Sequence, residues 1–256
     1  MLYALDEKKE RVEATPKQKA VCPLCNVQVI SKCGEKNIWH WAHTVASSHP
    51  GKENETEWHR KWKKEFPKDW REIIIEDHRG KHIADIKTEY QMVIEFQHSS
   101  INFQTVVSRE NFYDLMVWVF DVRKACEAES LIVFNGYIEW FNPIRGFGPC
   151  RKPVYLDLGK SLFYVKSIDK AYDSREIDGQ DLPVWRLEGN QINRGNAISR
   201  LLAPPKHLRI CCPYDKKVRE IVFDACKWHR ESNDPQCDKC EQFKYPFIPS
   251  YLGENY

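Results

Sequence analysis

The chain has 256 residues, which is enough for a full hydrophobic core with small appended modules. Its formal net charge of +2 does not by itself indicate nucleic-acid binding, and the lack of a long apolar run after Met1 argues against a signal peptide or a membrane span. The ten cysteines occur in metal-ligand spacings beside nine histidines, which favours a reducing, cytoplasmic location over a secreted disulfide-rich protein.

The first motif in chain order is a set of four metal-ligand side chains. Two residues separate Cys22 from Cys25, and two residues separate His40 from His43. Four such donors suit tetrahedral Zn²⁺ with no position left for a substrate, so the pattern predicts a structural zinc site, for which Cys33 is a competing ligand. We expect zinc to fold a module that is too small to be stabilised by apolar burial alone.

A helix is predicted over roughly residues 54–66, because Pro67 ends the helical pattern. Glu55 and His59 are four residues apart and would share one face of this helix, with Lys63 one turn further along. The alternative is an ordinary charged helix face that contacts only water.

Two apolar segments of strand length follow, and each contains a carboxylate: Asp85 lies in Ile83–Lys87, and Glu95 lies in Val93–Gln97. Charged residues are disfavoured inside strands, so two in succession indicate a function. In a hairpin with an odd loop, such as the five residues Thr88–Met92, both acids would lie on one sheet face and could bind Mg²⁺ or Mn²⁺. The alternative is a half-exposed hairpin whose acids face water.

Further elements are predicted around these two strands. A strand is expected over Arg71–Asp77, a helix over residues 102–114 and an apolar strand over Leu115–Phe120. Together with the earlier helix, the order is helix, three strands, helix, strand.

The later part of the chain gives weaker signals. Strands are predicted over Ser130–Phe134, Val154–Leu158 and Ser161–Ser167. Residues 170–206 are polar and rich in turn-forming residues, which predicts an extension and a linker that leads into the C-terminal segment.

A second set of metal-ligand side chains lies near the C-terminus. The pairs Cys226, His229 and Cys237, Cys240 have two residues inside each pair and seven between the pairs, which predicts a second zinc site. Cys211 or Cys212 could replace one of these ligands, four of the cysteines could hold an Fe–S cluster, and a cysteine-rich tail without metal is the remaining alternative. We expect this segment to contact a partner protein or DNA.

Several of these motifs, taken in order and with their spacing, resemble the competence protein CoiA-like family over about residues 10–170. In that family a Cys-Pro-x-Cys and His-x-x-His module precedes a nuclease core of the PD-(D/E)XK superfamily. The residues that carry the resemblance are Cys22, Pro23, Cys25, His40, His43, Glu55, His59, Lys63, Asp85, Glu95, Gln97, His98, Ser99, Ser100, Arg109, Tyr113 and Trp118.

The resemblance implies an α/β fold: a restriction-endonuclease-like core with a mixed sheet flanked by helices, plus small zinc-binding modules at both ends. It further implies action on DNA, and for some members the processing of incoming or foreign DNA. We therefore divide the chain into a zinc-binding module, a nuclease-like core, an extension with linker and a cysteine-rich module, over residues 1–50, 51–170, 171–206 and 207–256.

One position departs from the wider superfamily, because Gln97 stands where a Glu-x-Lys motif would place lysine. A neutral amide can orient the attacking water but cannot offset charge in the transition state. Lys87, on the strand face of Asp85, or Lys63 could supply that charge. The resemblance implies that Glu55 completes the metal site.

The sequence thus predicts a Mg²⁺- or Mn²⁺-dependent endonuclease that hydrolyses DNA phosphodiester bonds. The candidate catalytic residues are Asp85, Glu95, Gln97, Glu55, His59 and Lys87. The basic stretch His59–Lys64 is a candidate for holding DNA phosphates. A catalytically weak or inactive nuclease-fold protein that binds DNA in competence or recombination is the alternative, and a zinc-stabilised interaction protein without DNA affinity is a third.

Overall fold

The structure is a computed structural model of the whole chain. It describes residues 1–34, 38–44, 55–144, 146–148, 150–177, 180–203, 210–211 and 220–221. The chain forms two compact units, Met1–Lys87 and Thr88–Tyr256. The division falls after the strand that contains Asp85, whereas the sequence predicts a module boundary near residue 50.

The first unit begins with a small antiparallel sheet. The described elements of this unit are β1 Tyr3–Leu5, β2 Arg11–Glu13, β3 Lys19–Val21, β4 Gln28–Lys32, β5 His40–His43, α1 Glu57–Lys64, β6 Arg71–Asp77 and β7 Gly80–Lys87. The first five strands pair in the order β2-β1-β3-β4-β5. One face of this sheet buries Val29 and Trp41 together with three alanines and Cys22. This core is small, so apolar burial contributes little to its stability.

Helix α1 begins later than the sequence predicts. Thr56 is its N-cap: the Thr56 hydroxyl accepts a hydrogen bond from the His59 amide, and the ring Nδ1 of His59 accepts one from the Thr56 amide at 3.3 Å. This reciprocal capping box fixes the start of the helix. Glu55 therefore precedes the helix and does not share a helix face with His59, which corrects the prediction.

Strands β6 and β7 form an antiparallel hairpin in which Ile73 pairs with Ala84. The predicted strand over Arg71–Asp77 is confirmed, and β7 starts three residues earlier than the predicted segment that begins at Ile83. Asp85 is buried on β7.

The second unit contains a larger mixed sheet flanked by helices. Its described elements are β8 Val93–Gln97, α2 Phe103–Phe112, β9 Met116–Asp121, α3 Arg123–Glu127, β10 Leu131–Val133, β11 Tyr137–Phe141, β12 Val154–Asp157, β13 Ser161–Ile177, β14 Gln180–Asn193, α4 Arg194–Leu202, β15 Ile210–Cys211 and β16 Glu220–Ile221. Within this unit the strands follow the order β10-β11-β14-β13-β12-β9-β8, and β15 pairs with β16.

Strands β8, β9 and β12 are parallel to one another and form the most buried part of this sheet. Near-continuous apolar sequence is typical of such central parallel strands, because both of their faces are covered. The predicted α/β class with a mixed sheet and flanking helices is confirmed. Five residues, Thr88–Met92, connect β7 to β8, which is the odd loop length named in the sequence prediction.

Most of the stretch 170–206, for which the sequence predicts an extension and a linker, forms regular secondary structure within the described residues. Strands β13 and β14 form a long antiparallel hairpin, and α4 follows directly. Part of this hairpin alternates in burial along β14: Leu187 and Gly189 are buried, while Glu188 and Asn190 are exposed, so the segment has a polar sequence. A Cβ at Gly189 would clash with the carbonyl oxygen of Tyr164, so glycine is required by close strand packing and does not mark a turn. None of the helices within the described ranges is long and apolar enough to cross a lipid bilayer.

Candidate metal centre and buried acid cluster

Three of the four predicted N-terminal zinc ligands lie together. The ligand atoms of Cys22, Cys25 and His43 are all within 4.8 Å of one another, and the Cys25 Sγ lies 3.3 Å from the His43 Nε2. The two cysteines occupy a tight turn after β3, in which the amide of Asn26 donates to the carbonyl of Cys22 at 2.8 Å. His43 reaches the same place from β5, where it pairs with Val29.

The electrostatics of this turn suit a thiolate–metal site. Burial raises the pKa of the Cys22 thiol, while the amides of Cys25 and Leu24 act in the opposite direction by hydrogen bonding to its sulfur. A bound cation would stabilise the thiolate much more strongly. Two sulfurs and one imidazole are donors that zinc prefers, so the cluster can hold a metal ion such as Zn²⁺ and leaves one coordination position for a further ligand.

His40 is not part of this cluster, which corrects the predicted four-ligand set. Residues three apart on a strand point to opposite faces, so His40 and His43 diverge on β5. The His40 Nδ1 lies 2.7 Å from the carbonyl oxygen of Ile38. Cys33, the competing ligand, packs against the core of the sheet, but it lies four residues beyond Val29, the residue that pairs with His43.

The first unit also contains a buried cluster of charged groups centred on Lys63. The Lys63 ammonium lies 3.1 Å from Glu55 Oε1, 2.8 Å from Glu72 Oε1 and 3.2 Å from Asp85 Oδ1. All four side chains are at most 6% exposed. When all are ionised, these three carboxylates and one ammonium together carry a net charge of −2.

The carboxylates control the protonation of Lys63. Burial acts to lower the pKa of the ammonium, but Glu72, Asp85 and Glu55 outweigh it and raise the pKa well above its usual value. Glu55 Oε2 is buried and has no hydrogen-bond partner among the described residues. A buried carboxylate oxygen in this situation and an excess of negative charge both favour a bound cation.

Glu72 belongs to this cluster, although the sequence analysis did not identify it. Its second oxygen accepts hydrogen bonds from the backbone amides of Leu2 and Tyr3, at 2.9 and 3.1 Å. Its backbone φ is +46°, a strained value for a residue with a side chain. Glu72 thus connects the N-terminal strand to Lys63. An acid within the apolar run of β6 was the only sequence signal for it.

The other predicted catalytic residues of the first unit have different surroundings. His59 is buried, and its Nδ1 also lies 2.9 Å from the Thr56 hydroxyl, so its ring supports the helix cap. Lys87 is half-buried at the end of β7, and the lysine that pairs with Asp85 is Lys63. The predicted basic stretch His59–Lys64 is only partly exposed. Lys61 and Lys64 are its exposed members, and the other four residues are buried or half-buried.

In the second unit, Glu95 and Gln97 are both buried on β8. Glu95 Oε2 accepts a hydrogen bond from Arg109 Nη1 at 2.9 Å, and the Arg109 guanidinium lies 5.9 Å from the centre of the Trp118 ring. The Gln97 side-chain amide donates to the Ser99 carbonyl at 2.7 Å. Arg109 therefore compensates the buried charge of Glu95 and holds its carboxylate in a defined orientation.

Replacing Lys63 by methionine is expected to lower the free energy of unfolding by about 3–5 kcal/mol, because three buried carboxylates lose their shared cation. Urea unfolding at pH 7 measures the change, and Lys64→Met is the matched control on the exposed neighbour. The folded pKa of Lys63 is above its unfolded value, so its stabilising contribution is complete below about pH 10.4 and is lost only as the pH rises further. Equal stability of the two variants would contradict the arrangement.

The predicted C-terminal zinc ligands Cys226, His229, Cys237 and Cys240 lie outside the described residues, as does Cys212. The prediction of a second zinc site is therefore tested by measuring the zinc content of the protein. We expect about two zinc ions per full chain and about one in a chain that ends near residue 204. Elemental analysis of freshly purified protein measures this ratio, and the same metal content in both chains would contradict the second site.

Comparison with known proteins gives one match, which covers the N-terminal segment that contains the candidate metal centre. Residues 4–49 match the family model described as competence protein CoiA, N-terminal domain. This range contains the cluster of Cys22, Cys25 and His43. No curated protein and no solved structure matches the chain. The match confirms, over residues 4–49, the resemblance to the competence protein CoiA-like family.

Proposed function

We propose that the chain is a metal-dependent DNA nuclease with a PD-(D/E)XK-like core. The match to the CoiA N-terminal domain implies a competence-related role, and we extend it to the processing of incoming or foreign DNA. The observation that carries the proposal is the buried cluster of Glu55, Glu72 and Asp85 around Lys63, with its excess of negative charge. Buried carboxylates of this kind are costly for folding and are typical of sites that bind a divalent cation.

In this proposal Asp85 and Glu95, the acids that the sequence predicts as metal ligands, would bind Mg²⁺ or Mn²⁺. Glu55 would contribute the oxygen that has no hydrogen-bond partner in the described part of the chain. A bound cation of this type would polarise the scissile phosphate and activate water. Arg109 keeps the Glu95 carboxylate oriented.

Lys63 supplies the positive charge that Gln97 lacks. Its ammonium is buried and lies 3.2 Å from Asp85 Oδ1, whereas Lys87 lies at the half-buried end of β7. Glu72 fixes the position of the ammonium through its ion pair at 2.8 Å. A cation held by this many carboxylates remains protonated at neutral pH and can offset charge that develops on a phosphate.

A DNA-binding protein without cleavage activity is the second candidate. Two observations favour it: Lys63 already pairs with Glu55 and Asp85, which the metal would need, and the Gln97 side-chain amide donates to the Ser99 carbonyl. In that case the buried cluster would stabilise the fold, and DNA would be held without hydrolysis.

Cleavage assays distinguish the two candidates. Single-stranded and double-stranded DNA are incubated with the protein in Mg²⁺, in Mn²⁺ and in EDTA, and binding is measured on the same samples. The proposed nuclease gives cleavage that EDTA abolishes. Binding without cleavage in either metal identifies the second candidate. The absence of both binding and cleavage would leave the zinc-stabilised interaction protein.

A further inference from the structure

The second unit contains a row of charged side chains that the proposed cleavage site does not use. It lies at the carboxyl ends of the parallel strands β8, β9 and β12. Asp121 and Asp157 end β9 and β12 and are Cα partners in the register, and His98 directly follows β8. Ligands of open α/β sheets commonly bind at this edge of parallel strands.

Buried acids hold partly exposed cations along this row. Asp121 accepts hydrogen bonds from Arg123 Nε at 2.7 Å and Nη2 at 2.8 Å, and its Oδ2 lies 2.9 Å from His98 Nδ1. Asp157 lies 3.2 and 3.3 Å from Arg194 Nη1. The two aspartate side chains are 2% and 1% exposed, whereas the side chains of Arg123, Arg194 and His98 are 40%, 27% and 25% exposed.

The turn between β12 and β13 brings the two halves of the row together. Asp157 Oδ1 accepts the amide of Gly159 at 2.8 Å, and Gly159 has a φ of +92°. A Cβ at Gly159 would lie 3.7 Å from the Cδ of Arg123, so the aliphatic part of Arg123 lies across this turn. Arg123 therefore interacts electrostatically with Asp157 as well as with Asp121.

The row is distinct from the residues proposed to cleave DNA. Glu95 pairs with Trp118 in the register of β8 and β9, so Glu95 shares a face of the sheet with Trp118. Asp121 is three residues beyond Trp118 and points to the opposite face. The carboxylates of this row already accept hydrogen bonds from guanidinium groups, which makes them supports for the cations.

We infer that this edge binds a phosphate group, with Arg123 and Arg194 as donors held in place by Asp121 and Asp157. A guanidinium has five N–H donors, and the ion pair of Arg123 with Asp121 uses two side-chain nitrogens on one side of the group. The remaining donors can contact phosphate oxygens without further ordering of the side chain. The phosphate belongs to a DNA backbone or to a small phosphate compound; the DNA case rests on the proposed function.

Binding measured in EDTA keeps this inference separate from cleavage. Affinity for a fluorescein-labelled oligonucleotide is measured by anisotropy over a range of salt concentrations with the full chain. Arg123→Gln and Arg194→Gln are each expected to weaken binding about 5- to 10-fold. The double variant should also lower the slope of log affinity against log salt by about 2, because each lost phosphate contact lowers it by about one.

Arg79→Gln is the matched control. Arg79 pairs with Asp77 two residues away, as Arg123 pairs with Asp121, and its side chain is 35% exposed. Its replacement should change affinity less than about twofold. Because Arg123→Gln removes the guanidinium that pairs with the buried Asp121 carboxylate, the paired variant Asp121→Asn with Arg123→Gln is also tested. This paired variant has the same net charge as the wild type, and it should lose DNA affinity to the same extent as Arg123→Gln alone.

The second measurement is the melting temperature with and without inorganic phosphate. Phosphate should raise the melting temperature of the wild-type protein and should not raise that of the double variant. Weakened DNA binding in the arginine variants supports the inference with a nucleic-acid source. A phosphate-dependent rise that is lost in the variants while DNA affinity is unchanged supports it with a small phosphate compound as the source. If the arginine variants match the wild type and Arg79→Gln in both measurements, the inference is overturned. If the wild type does not cleave DNA in Mg²⁺ or Mn²⁺ but the arginine variants still bind more weakly than the wild type, the result counts against the nuclease and supports the inference.

Discussion

Asp85→Asn and Glu95→Gln are each expected to reduce metal-dependent DNA cleavage by at least about 10²–10³-fold, while both variants remain folded. An effect of this size corresponds to the loss of one preorganised charged group that stabilises the transition state. The amides have nearly the same shape as the acids but bind divalent cations poorly. Cleavage rates in Mg²⁺ and in Mn²⁺, measured with the protein in excess over DNA, test this prediction.

Stability separates a catalytic effect from a structural one. Asp85→Asn removes one of three buried carboxylates around Lys63, so it relieves part of the excess negative charge and should not lower the free energy of unfolding by more than about 1 kcal/mol. Asp77→Asn is the matched control, since Asp77 lies on the neighbouring strand β6 and pairs with Arg79 near the surface. Equal cleavage by the wild type, Asp85→Asn and Glu95→Gln would show that the activity belongs to another site or another protein.

The sequence predicts the central elements well because their signals are local. Strands β6 to β9 and helix α2 are confirmed, since apolar segments with strand periodicity and a helix that starts after the N-cap Asn102 depend on neighbouring residues. The position of acids on β7 and β8 is read from the same local patterns. The number of residues between two strands likewise follows directly from the sequence.

The remaining features depend on contacts between distant parts of the chain. The hydrogen bond from the Leu2 amide to Glu72 joins residues 70 positions apart, and the positive φ of Glu72 has no local sequence signal. His40 shows a different difficulty: a His-x-x-His spacing places both rings together on a turn or helix but on opposite faces of a strand. The sequence does not predict the hairpin of β13 and β14, because its many exposed polar residues obscure the apolar residues that indicate a strand.

His43→Ala is expected to weaken zinc binding by the first unit by more than about 100-fold, whereas His40→Ala should change it by about twofold or less. Disturbing only an outer-shell partner of a metal ligand typically costs 10- to 100-fold, so the loss of a direct ligand should exceed this range. The ring of His40 lies by the Ile38 carbonyl, and a substitution outside the cluster changes stability by about 0.5 kcal/mol or less. The two histidines thus form a matched pair on one strand.

The measurement is competition for zinc with a chelator of known affinity, followed by thermal unfolding of each variant. Cys22→Ser should behave like His43→Ala, because Cys22 and His43 belong to the same cluster. Since zinc binding to small modules is largely folding free energy, both variants should unfold the β1–β5 sheet at lower temperature. That sheet also carries the Leu2 and Tyr3 amides that hold Glu72, so its loss should release the carboxylate that positions Lys63. Equal zinc affinity of His40→Ala and His43→Ala, or a strong loss in His40→Ala, would show that His40 is a ligand after all.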